Sequence, residues 1–190
     1  LDSAGDEIAP LPREGADRRR VDIEDVSPWM IHAIVATRDP DYFQSTGWDY
    51  STIIGAFFRN LTGGDVEADA GTITVQIARD FVIVDPAVQG SVEEAIIAAE
   101  LADTYTRNDL LELYLNELNF GNQAFGVEAA ARFYFGTSAA ELNLAQAAYL
   151  AAIARNPIAN DPVTNQEQTN AELVTVLNQM TAVGCITVPA

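Results

Sequence analysis

Apolar residues recur at helical spacing along most of the chain, and this pattern predicts a mostly α domain. Residues 28–38 predict a helix whose apolar face carries Trp29, Met30, Ala33 and Ile34. Residues 110–118 place their leucines and a tyrosine on one broad face, which is typical of a helix that packs against a core. Residues 142–154 are apolar almost all round and therefore predict a central buried helix.

Four helix starts are predicted by a hydroxyl residue followed three positions later by an acid, because this spacing lets both side chains bind the first free amides of a helix. The pairs are Ser91 with Glu94, Ser138 with Glu141, Thr169 with Glu172 and, in a looser form, Thr106 with Asp109. Residues 72–83, TITVQIARDFVI, fit a strand by their β-branched residues and a helix by their spacing, so both assignments stay open. Residues 1–20 are polar, contain prolines and end in DRRR, which predicts an N-terminal arm or tether before a domain over 21–190.

The net charge of the chain limits the classes of partner that it can bind. Asp and Glu number 28 against 10 basic residues, which gives a formal net charge of −18, and every basic residue is Arg. Such a chain repels phosphate backbones, which argues against nucleic-acid binding. Two explanations stay open: a surface adapted for solubility, or the loss of basic residues from a site that once used them. The sequence contains no apolar run of the length that a transmembrane helix needs.

The residue types available for catalysis point to carboxylates. A single histidine, His32, and a single cysteine, Cys185, provide neither a metal cluster nor a Cys–His pair. The sequence also lacks the glycine-flanked serine of hydrolases and a phosphate-binding glycine loop. Acid and base chemistry on a sugar needs only a pair of carboxylates, so glycosyl transfer or hydrolysis is compatible with this composition.

Four segments resemble, in order, the motifs of glycosyltransferase family 51, the peptidoglycan glycosyltransferases of penicillin-binding proteins and monofunctional transglycosylases. They are VDIEDVSPWMIHAIVATRDPDYF, DAGTITVQIARD, the stretch from EEAIIAAE to IARNP, and TNAELVTVLNQMTAVGCIT, and together they span about residues 21–187. The resemblance implies a mostly α, lysozyme-like, bilobed fold, with a larger helical lobe and a small membrane-proximal lobe over residues 48–75.

The same resemblance implies a function and a place. Members of the family polymerise lipid II, a lipid-linked disaccharide pyrophosphate, on the outer face of the bacterial cytoplasmic membrane. Implied partners are lipid II or a glycan strand, the membrane surface and other cell-wall synthesis proteins, and a transmembrane anchor is expected before Leu1. No cofactor is required with certainty, although some members use a divalent metal.

The first motif departs from the family where the chemistry is performed. The family has a Glu-Asp pair whose Glu is the general base, and this chain has Arg38 followed by Asp39. A guanidinium has a pKa above about 12 and cannot accept a proton at neutral pH. Asp39 is either a substitute base or, because it precedes Pro40, the N-cap of a helix. Asp41 is a second substitute base under the same resemblance.

The second and third motifs are partly kept. Thr72, Thr74 and Gln76 match the family's substrate-binding segment, and Arg79 stands in place of its Lys. The basic pair of the third motif is replaced by Gly90 and Ser91, so two cations expected near the pyrophosphate are missing. The acid of that motif remains as Glu94, which fits a site acid and a capping-box acid about equally. Glu100 and Asn116 also match the family pattern, and each is either a site residue or part of the scaffold.

Three functions follow from these departures. The first, which we favour, is a family 51 domain with impaired or absent catalysis. The second is an active transferase in which Asp39 or Asp41 serves as the base. The third is a non-catalytic binding or scaffold protein that reuses the fold. An ion pair between Arg38 and Glu94 across the cleft would indicate a site closed by a structural contact.

Overall fold

A computed structural model describes residues 17–42, 72–83 and 92–187. The predicted mostly α class is confirmed, since helices make up most of these ranges. The elements are β1 (Asp17–Arg18), α1 (Pro28–Arg38), α2 (Ile73–Ile77), α3 (Val92–Thr104), α4 (Arg107–Glu117), β2 (Ala124–Phe125), α5 (Val127–Phe135), α6 (Leu144–Arg155) and α7 (Gln166–Ala182). A π-helical segment, Ala78–Val82, continues α2, and 3₁₀ turns cover Ile23–Asp25 and Ala139–Glu141. In the part of the chain that is described, each helix is too short or too polar to cross a bilayer.

The core forms around α6, the helix that the apolar pattern predicts to be central. Seven of its residues are buried, and α1 and α7 both pack against it and against each other. Met30, Ala33 and Ile34 of α1 are fully buried, as the predicted apolar face requires. Trp29 is 40% exposed, so it does not share that buried face. On α4, all five apolar positions of the predicted stripe are buried: Leu110, Leu111, Tyr114, Leu115 and, just beyond its end, Leu118.

The predicted helix starts divide into those that form and one that does not. Thr106 with Asp109, and Ser138 with Glu141, both form reciprocal capping boxes. The start predicted at Thr169 is wrong, because α7 begins at Gln166 and Thr169 lies inside its first turns. The Thr169 side chain is buried there, and its hydroxyl donates to the carbonyl of Asn160 at 2.9 Å. Ser91, the remaining start, lies outside the described residues.

The open assignment over residues 72–83 resolves as a helix. Thr72 is the N-cap of α2, and its hydroxyl accepts from the backbone N–H of Val75 at 3.4 Å. Ile73 and Ile77 are fully buried, because α2 packs between α3 and α4. The β-branched residues Ile73 and Ile77 are therefore buried in a helix and not in a strand. Of the predicted small lobe, residues 48–71 lie outside the described residues.

The end of the predicted N-terminal arm belongs to the packed domain. Asp17 and Arg18 form β1, which pairs in parallel with β2. Directly after the arm, Val21 exchanges two hydrogen bonds with the Asn116 side chain: its N–H donates to Oδ1 at 2.9 Å, and its carbonyl accepts from Nδ2 at 2.8 Å. These backbone contacts join the end of the predicted arm and the residue after it to β2 and α4.

Candidate active site

A cleft of about 410 Å³ opens where the end of α1, α2, α4 and the end of α6 meet. Three arginines from different elements line it: Arg38, Arg79 and Arg155. Gln76 and Tyr114 form part of the same wall. Arg38, Gln76 and Arg79 are thus the predicted site residues that the fold brings together in one cavity.

Arg38 is directed toward the end of α6. It is the last residue of α1, and its Nη2 donates to the carbonyl of Ala154 at 2.8 Å. Because carbonyl groups at the C-terminal end of a helix carry partial negative charge, a guanidinium is well placed there. The position that the family resemblance assigns to a general base therefore holds a cation that is bound to the backbone and faces the cleft.

Glu94 pairs with Arg79 and not with Arg38. Arg79 Nε donates to Glu94 Oε2 at 3.2 Å, and Nη2 donates to Oε1 at 2.6 Å. The Glu94 side chain is 2% exposed, while that of Arg79 is 28% exposed. Two parallel hydrogen bonds fix the orientation of the guanidinium plane relative to the carboxylate plane. Because the acid is buried, its ionised form needs the neighbouring cation to offset the cost of desolvation. The capping role predicted for Glu94 remains a prediction, because Ser91 is not among the described residues.

Asp39 ends one helix and supports the start of another. It is the C-cap of α1, and its N–H donates to the carbonyl of Val35 at 2.9 Å. The prediction that it is the N-cap of a following helix is wrong, since residues 40–42 form a turn. The residue before a proline disfavours helical backbone, which explains why α1 stops there. The Asp39 carboxylate instead accepts from the N–H of Ile73, the first residue of α2, at 3.3 Å.

The Asp39 carboxyl also has an altered acidity. Burial raises its pKa from 3.8 to about 6, the hydrogen bond from Ile73 opposes this shift, and the nearby Asp41 adds to it. A carboxyl that titrates near neutrality is a candidate acid or base. However, Asp39 does not line the cleft that holds Arg38 and Arg79, and Asp41 is exposed outside it.

The other predicted site residues have structural contacts. Tyr114 donates its hydroxyl to Gln76 Oε1 at 2.7 Å in a buried hydrogen bond, which orients Gln76 in the cleft wall. Thr74 is buried within α2, and Thr72 caps that helix. Glu100 is exposed on α3, and Asn116 bonds the segment at Val21, and neither lines the cleft. The scaffold alternative fits the last two better.

Three charged residues that line the cleft were missed at the level of sequence: Asp80, and the two helix-end residues Arg155 and Glu117. Arg155 ends α6, and its Nε lies 3.1 Å from Glu172 Oε1 on α7. Glu117 ends α4, and Arg20 Nη2 donates to its Oε1 at 3.1 Å. The positions of these two helix-end residues could have indicated a site, because each is the last residue of a helix with a clear apolar face. Charged residues at such ends lie where several helices converge.

The described residues offer no set of ligands suited to a metal ion. Among them there is no group of three or more His, Cys, Asp or Glu side chains close enough to hold one. Three carboxylates at or near the cleft are each engaged by a cation: Glu94 by Arg79, Glu172 by Arg155 and Glu117 by Arg20.

Comparison with known proteins supports the motif assignment. The profile of the family described as Transglycosylase matches residues 4–181. A biosynthetic peptidoglycan transglycosylase of Nitrosomonas eutropha is 36% identical over 147 residues, which are 77% of this chain and 60% of that protein. Penicillin-binding protein 1F of Bacillus subtilis is 35% identical over 159 residues, 83% of this chain and 22% of that protein.

A third relative, penicillin-binding protein 1A of Aquifex aeolicus, is 36% identical over 138 residues, 72% of this chain and 19% of that protein. The chain thus spans 60% of the first relative and about a fifth of the two penicillin-binding proteins. The similarity runs through the three arginines of the cleft, Arg38, Arg79 and Arg155, and through α6 and most of α7. This chain belongs to the transglycosylase family, the glycosyltransferases of family 51.

Proposed function

We propose that this chain is a peptidoglycan glycosyltransferase domain that binds lipid II or a glycan strand at the outer face of the cytoplasmic membrane, with impaired or absent catalysis. The observation that carries the proposal is Arg38, which faces the cleft at the position of the base and donates to the carbonyl of Ala154. A residue that cannot accept a proton there removes the step that activates the acceptor hydroxyl.

Binding is supported by the charge of the cleft. In a chain of net charge −18, three of its ten basic residues line one cavity, against two acidic residues, Asp80 and Glu117. A pyrophosphate needs cations with fixed directions, and guanidinium groups offer two parallel donors each. Arg38 and Arg155 are held by Ala154 and Glu172, so their orientation is set before a ligand arrives. The cleft can therefore attract an anion although the whole surface is acidic.

Impaired catalysis is supported by the pairing of Glu94. Its carboxylate is almost inaccessible and is bound at both oxygens by Arg79. Because Arg79 is paired with this acid, its positive charge stabilises a leaving pyrophosphate less strongly. Removal of one preset donor typically slows an enzyme by about 10²–10³-fold. A lost base together with a weakened phosphate contact would lower the rate further.

A second candidate is an active transferase with Asp39 as the base. The pKa of about 6 that burial confers on Asp39 favours it, because a general base works best when it titrates near the operating pH. Its carboxylate accepts from the Ile73 N–H and does not line the cleft, so it would have to turn away from that amide to reach a substrate. Asp41, the other alternative, is exposed.

A polymerisation assay with labelled lipid II separates these functions. We expect no long glycan from the wild-type chain, and binding of lipid II that inorganic pyrophosphate displaces. If wild type makes long glycan and Asp39→Asn abolishes it, the active alternative is correct. If lipid II does not bind at all, the non-catalytic scaffold is favoured. Arg38→Glu restores the base, so the appearance of product in this variant would assign the impairment to Arg38 alone.

A further inference from the structure

One wall of the arginine cleft is bound from outside by residues 17–23. Glu117, the last residue of α4, lines the cleft, and so does Phe125 in β2. Arg18 pairs with Phe125 in the register of β1 and β2. Arg20 Nη2 donates to Glu117 Oε1 at 3.1 Å. The end of the segment that the sequence predicts to be a tether therefore contacts residues of the cleft at two points.

The backbone around Arg20 is fixed on both sides. Before it, β1 pairs with β2. After it, the N–H and the carbonyl of Val21 both bond the buried side chain of Asn116. The N–H of Ile23 then donates to Glu112 Oε2 at 2.9 Å. Because these contacts hold the chain along α4, the pairing of Arg20 costs less conformational entropy than it would on a loose segment.

Glu117 lies where a carboxylate needs a cation. It ends α4, and the backbone carbonyls at the C-terminal end of a helix carry partial negative charge, which disfavours a second negative group there. The last turn of α4 contains no basic residue of its own. The Glu117 side chain is 17% exposed, so water and salt screen its charge less than at an open surface. Arg20 supplies the positive charge from outside the helix.

The same carboxylate shares a cavity with the groups that favour an anion. The charged residues that line the cleft are three arginines, Asp80 and Glu117. If Glu117 turned inward, a guanidinium of the cleft would be a strong alternative partner for it. Such a contact would occupy donors that a pyrophosphate needs and would place a negative charge beside it. The direction of the Glu117 side chain therefore affects how many donors the cleft offers.

We propose that Arg20 is a positioning residue for the anion site: it holds the Glu117 carboxylate on the outer side of the α4 wall and keeps it off the cleft arginines. The proposal rests on the proposed function, because the anion concerned is the pyrophosphate of lipid II. It makes the affinity of the cleft depend on a residue that lies before the predicted domain boundary and does not itself line the cleft.

The strength of the ion pair limits the size of the effect. The Arg20 side chain is 61% exposed, and an exposed ion pair changes an equilibrium constant by a factor of about five at most. We therefore expect Arg20→Met to raise the Kd for inorganic pyrophosphate about three- to fivefold at low salt. Arg20→Lys keeps the cation and should keep most of the affinity.

Isothermal titration of the full chain with inorganic pyrophosphate measures these constants. Arg19→Met is the matched control, because Arg19 is exposed, does not line the cleft and changes the net charge equally when it is lost. Its effect on the Kd should be less than about twofold and should vanish as salt is added. Melting temperatures within about 4 °C of wild type would show that the variants remain folded.

A second comparison repeats Arg20→Met in the Glu117→Gln background. No carboxylate is left to turn inward in that background, so the loss of Arg20 should change the Kd by less than about twofold. A charge that acts only through space would instead weaken binding equally in both backgrounds. The difference between the two backgrounds therefore measures the hold of Arg20 on Glu117.

The outcomes separate this role from the proposed function. Equal effects of Arg19→Met and Arg20→Met, or of Arg20→Met in both backgrounds, overturn the positioning role, while binding of pyrophosphate by wild type still supports the proposed function. If wild type binds neither pyrophosphate nor lipid II, the proposed function is overturned and the positioning role with it. Weaker binding in Arg20→Met alone, restored by Arg20→Lys, supports both.

Discussion

Arg79, in the π-helical continuation of α2, binds both carboxylate oxygens of Glu94 in the first turn of α3, at 3.2 and 2.6 Å. The family resemblance assigns the cation to pyrophosphate binding and the acid to the site. In this chain the two neutralise each other, and Arg79 is the member of the pair that lines the cleft. The pair is therefore both a structural contact and a limit on what the cleft can bind.

The two ends of this pair should contribute unequally to stability. Arg79→Met leaves an almost inaccessible carboxylate without its cation, and we expect the free energy of unfolding to fall by about 3–5 kcal/mol. Glu94→Gln keeps an acceptor for Arg79, which is 28% exposed and can turn to water, so the loss should be about 1–2 kcal/mol. Urea unfolding of both variants measures this difference.

The exposed pair of Arg20 with Glu117 is the matched control for that comparison. Its side chains are 61% and 17% exposed at a distance of 3.1 Å. Arg20→Met should therefore cost less than about 1 kcal/mol. Equal losses for Arg79→Met and Arg20→Met would contradict the claim that burial of Glu94 makes its cation necessary.

Neutralising Glu94 should strengthen anion binding. Glu94→Gln removes a negative charge that lies directly behind Arg79, so more of the guanidinium's field reaches the cleft. A unit charge about 7 Å from a phosphate is worth roughly 2 kcal/mol at an effective dielectric constant near 20, so the Kd for pyrophosphate should fall at least about tenfold. Isothermal titration at low salt measures it.

Glu93→Gln provides the control for charge alone. Glu93 is the exposed neighbour of Glu94 on α3, so this variant changes the net charge equally without touching the buried acid. Its effect on the Kd should be small and should vanish as salt is added. If both variants tighten binding equally, the pairing of Arg79 with Glu94 does not limit the cleft.

Gly126, between β2 and α5, should tolerate no side chain. Its φ of 86° and ψ of 153° lie in a region open essentially to glycine alone, and an added Cβ would lie 2.6 Å from the carbonyl oxygen of Asn116. We expect Gly126→Ala to lower the free energy of unfolding by about 2–5 kcal/mol, from backbone strain and overpacking together. Gly136→Ala measures the smaller cost of an ordinary left-handed residue without a clash, because at φ 66° and ψ 20° its Cβ would meet nothing within 4 Å. A similar loss in both variants would argue against the clash.

The helices could be predicted where one physical effect dominates. The boundaries of α1 agree with the sequence prediction, because Ser27 and Pro28 begin it and the Asp39–Pro40 step ends it. The buried faces of α4 and α6 follow directly from apolar spacing. The start at Thr169 failed because a local capping pattern was outweighed by burial: the Thr169 hydroxyl bonds the carbonyl of Asn160 inside the fold.

The site could be predicted only in part, because its decisive contacts join distant elements. Arg38, Gln76 and Arg79 followed from motif order and do share the cleft. The partner of Glu94 could not be predicted from local spacing. That spacing indicated Ser91 in the same turn, whereas the observed partner, Arg79, lies in another helix. The proline after Asp39 predicted a helix start at Asp39. Its carboxylate instead accepts a hydrogen bond from the first amide of α2, 34 residues away.

Asp39 should make stability depend on pH in an unusual direction. Its pKa is about 6 in the folded chain against 3.8 without burial, so the folded state binds the extra proton between these values. Stability from this group is therefore full below about pH 4 and is lost as the pH rises through 6. A shift of this size corresponds to at most about 3 kcal/mol at neutral pH.

Asp39→Asn should remove that dependence. The amide is uncharged at every pH and its oxygen can still accept from the Ile73 N–H, so the variant should be more stable than wild type at pH 7.5, by up to about 3 kcal/mol. The advantage should shrink to nothing near pH 4, where the wild-type carboxyl is protonated too. Denaturant unfolding from pH 4 to 8 measures the difference, and Asp103→Asn, an exposed carboxylate on α3, controls for net charge. A difference that stays constant across this range would show that burial of the Asp39 charge is not what the substitution relieves.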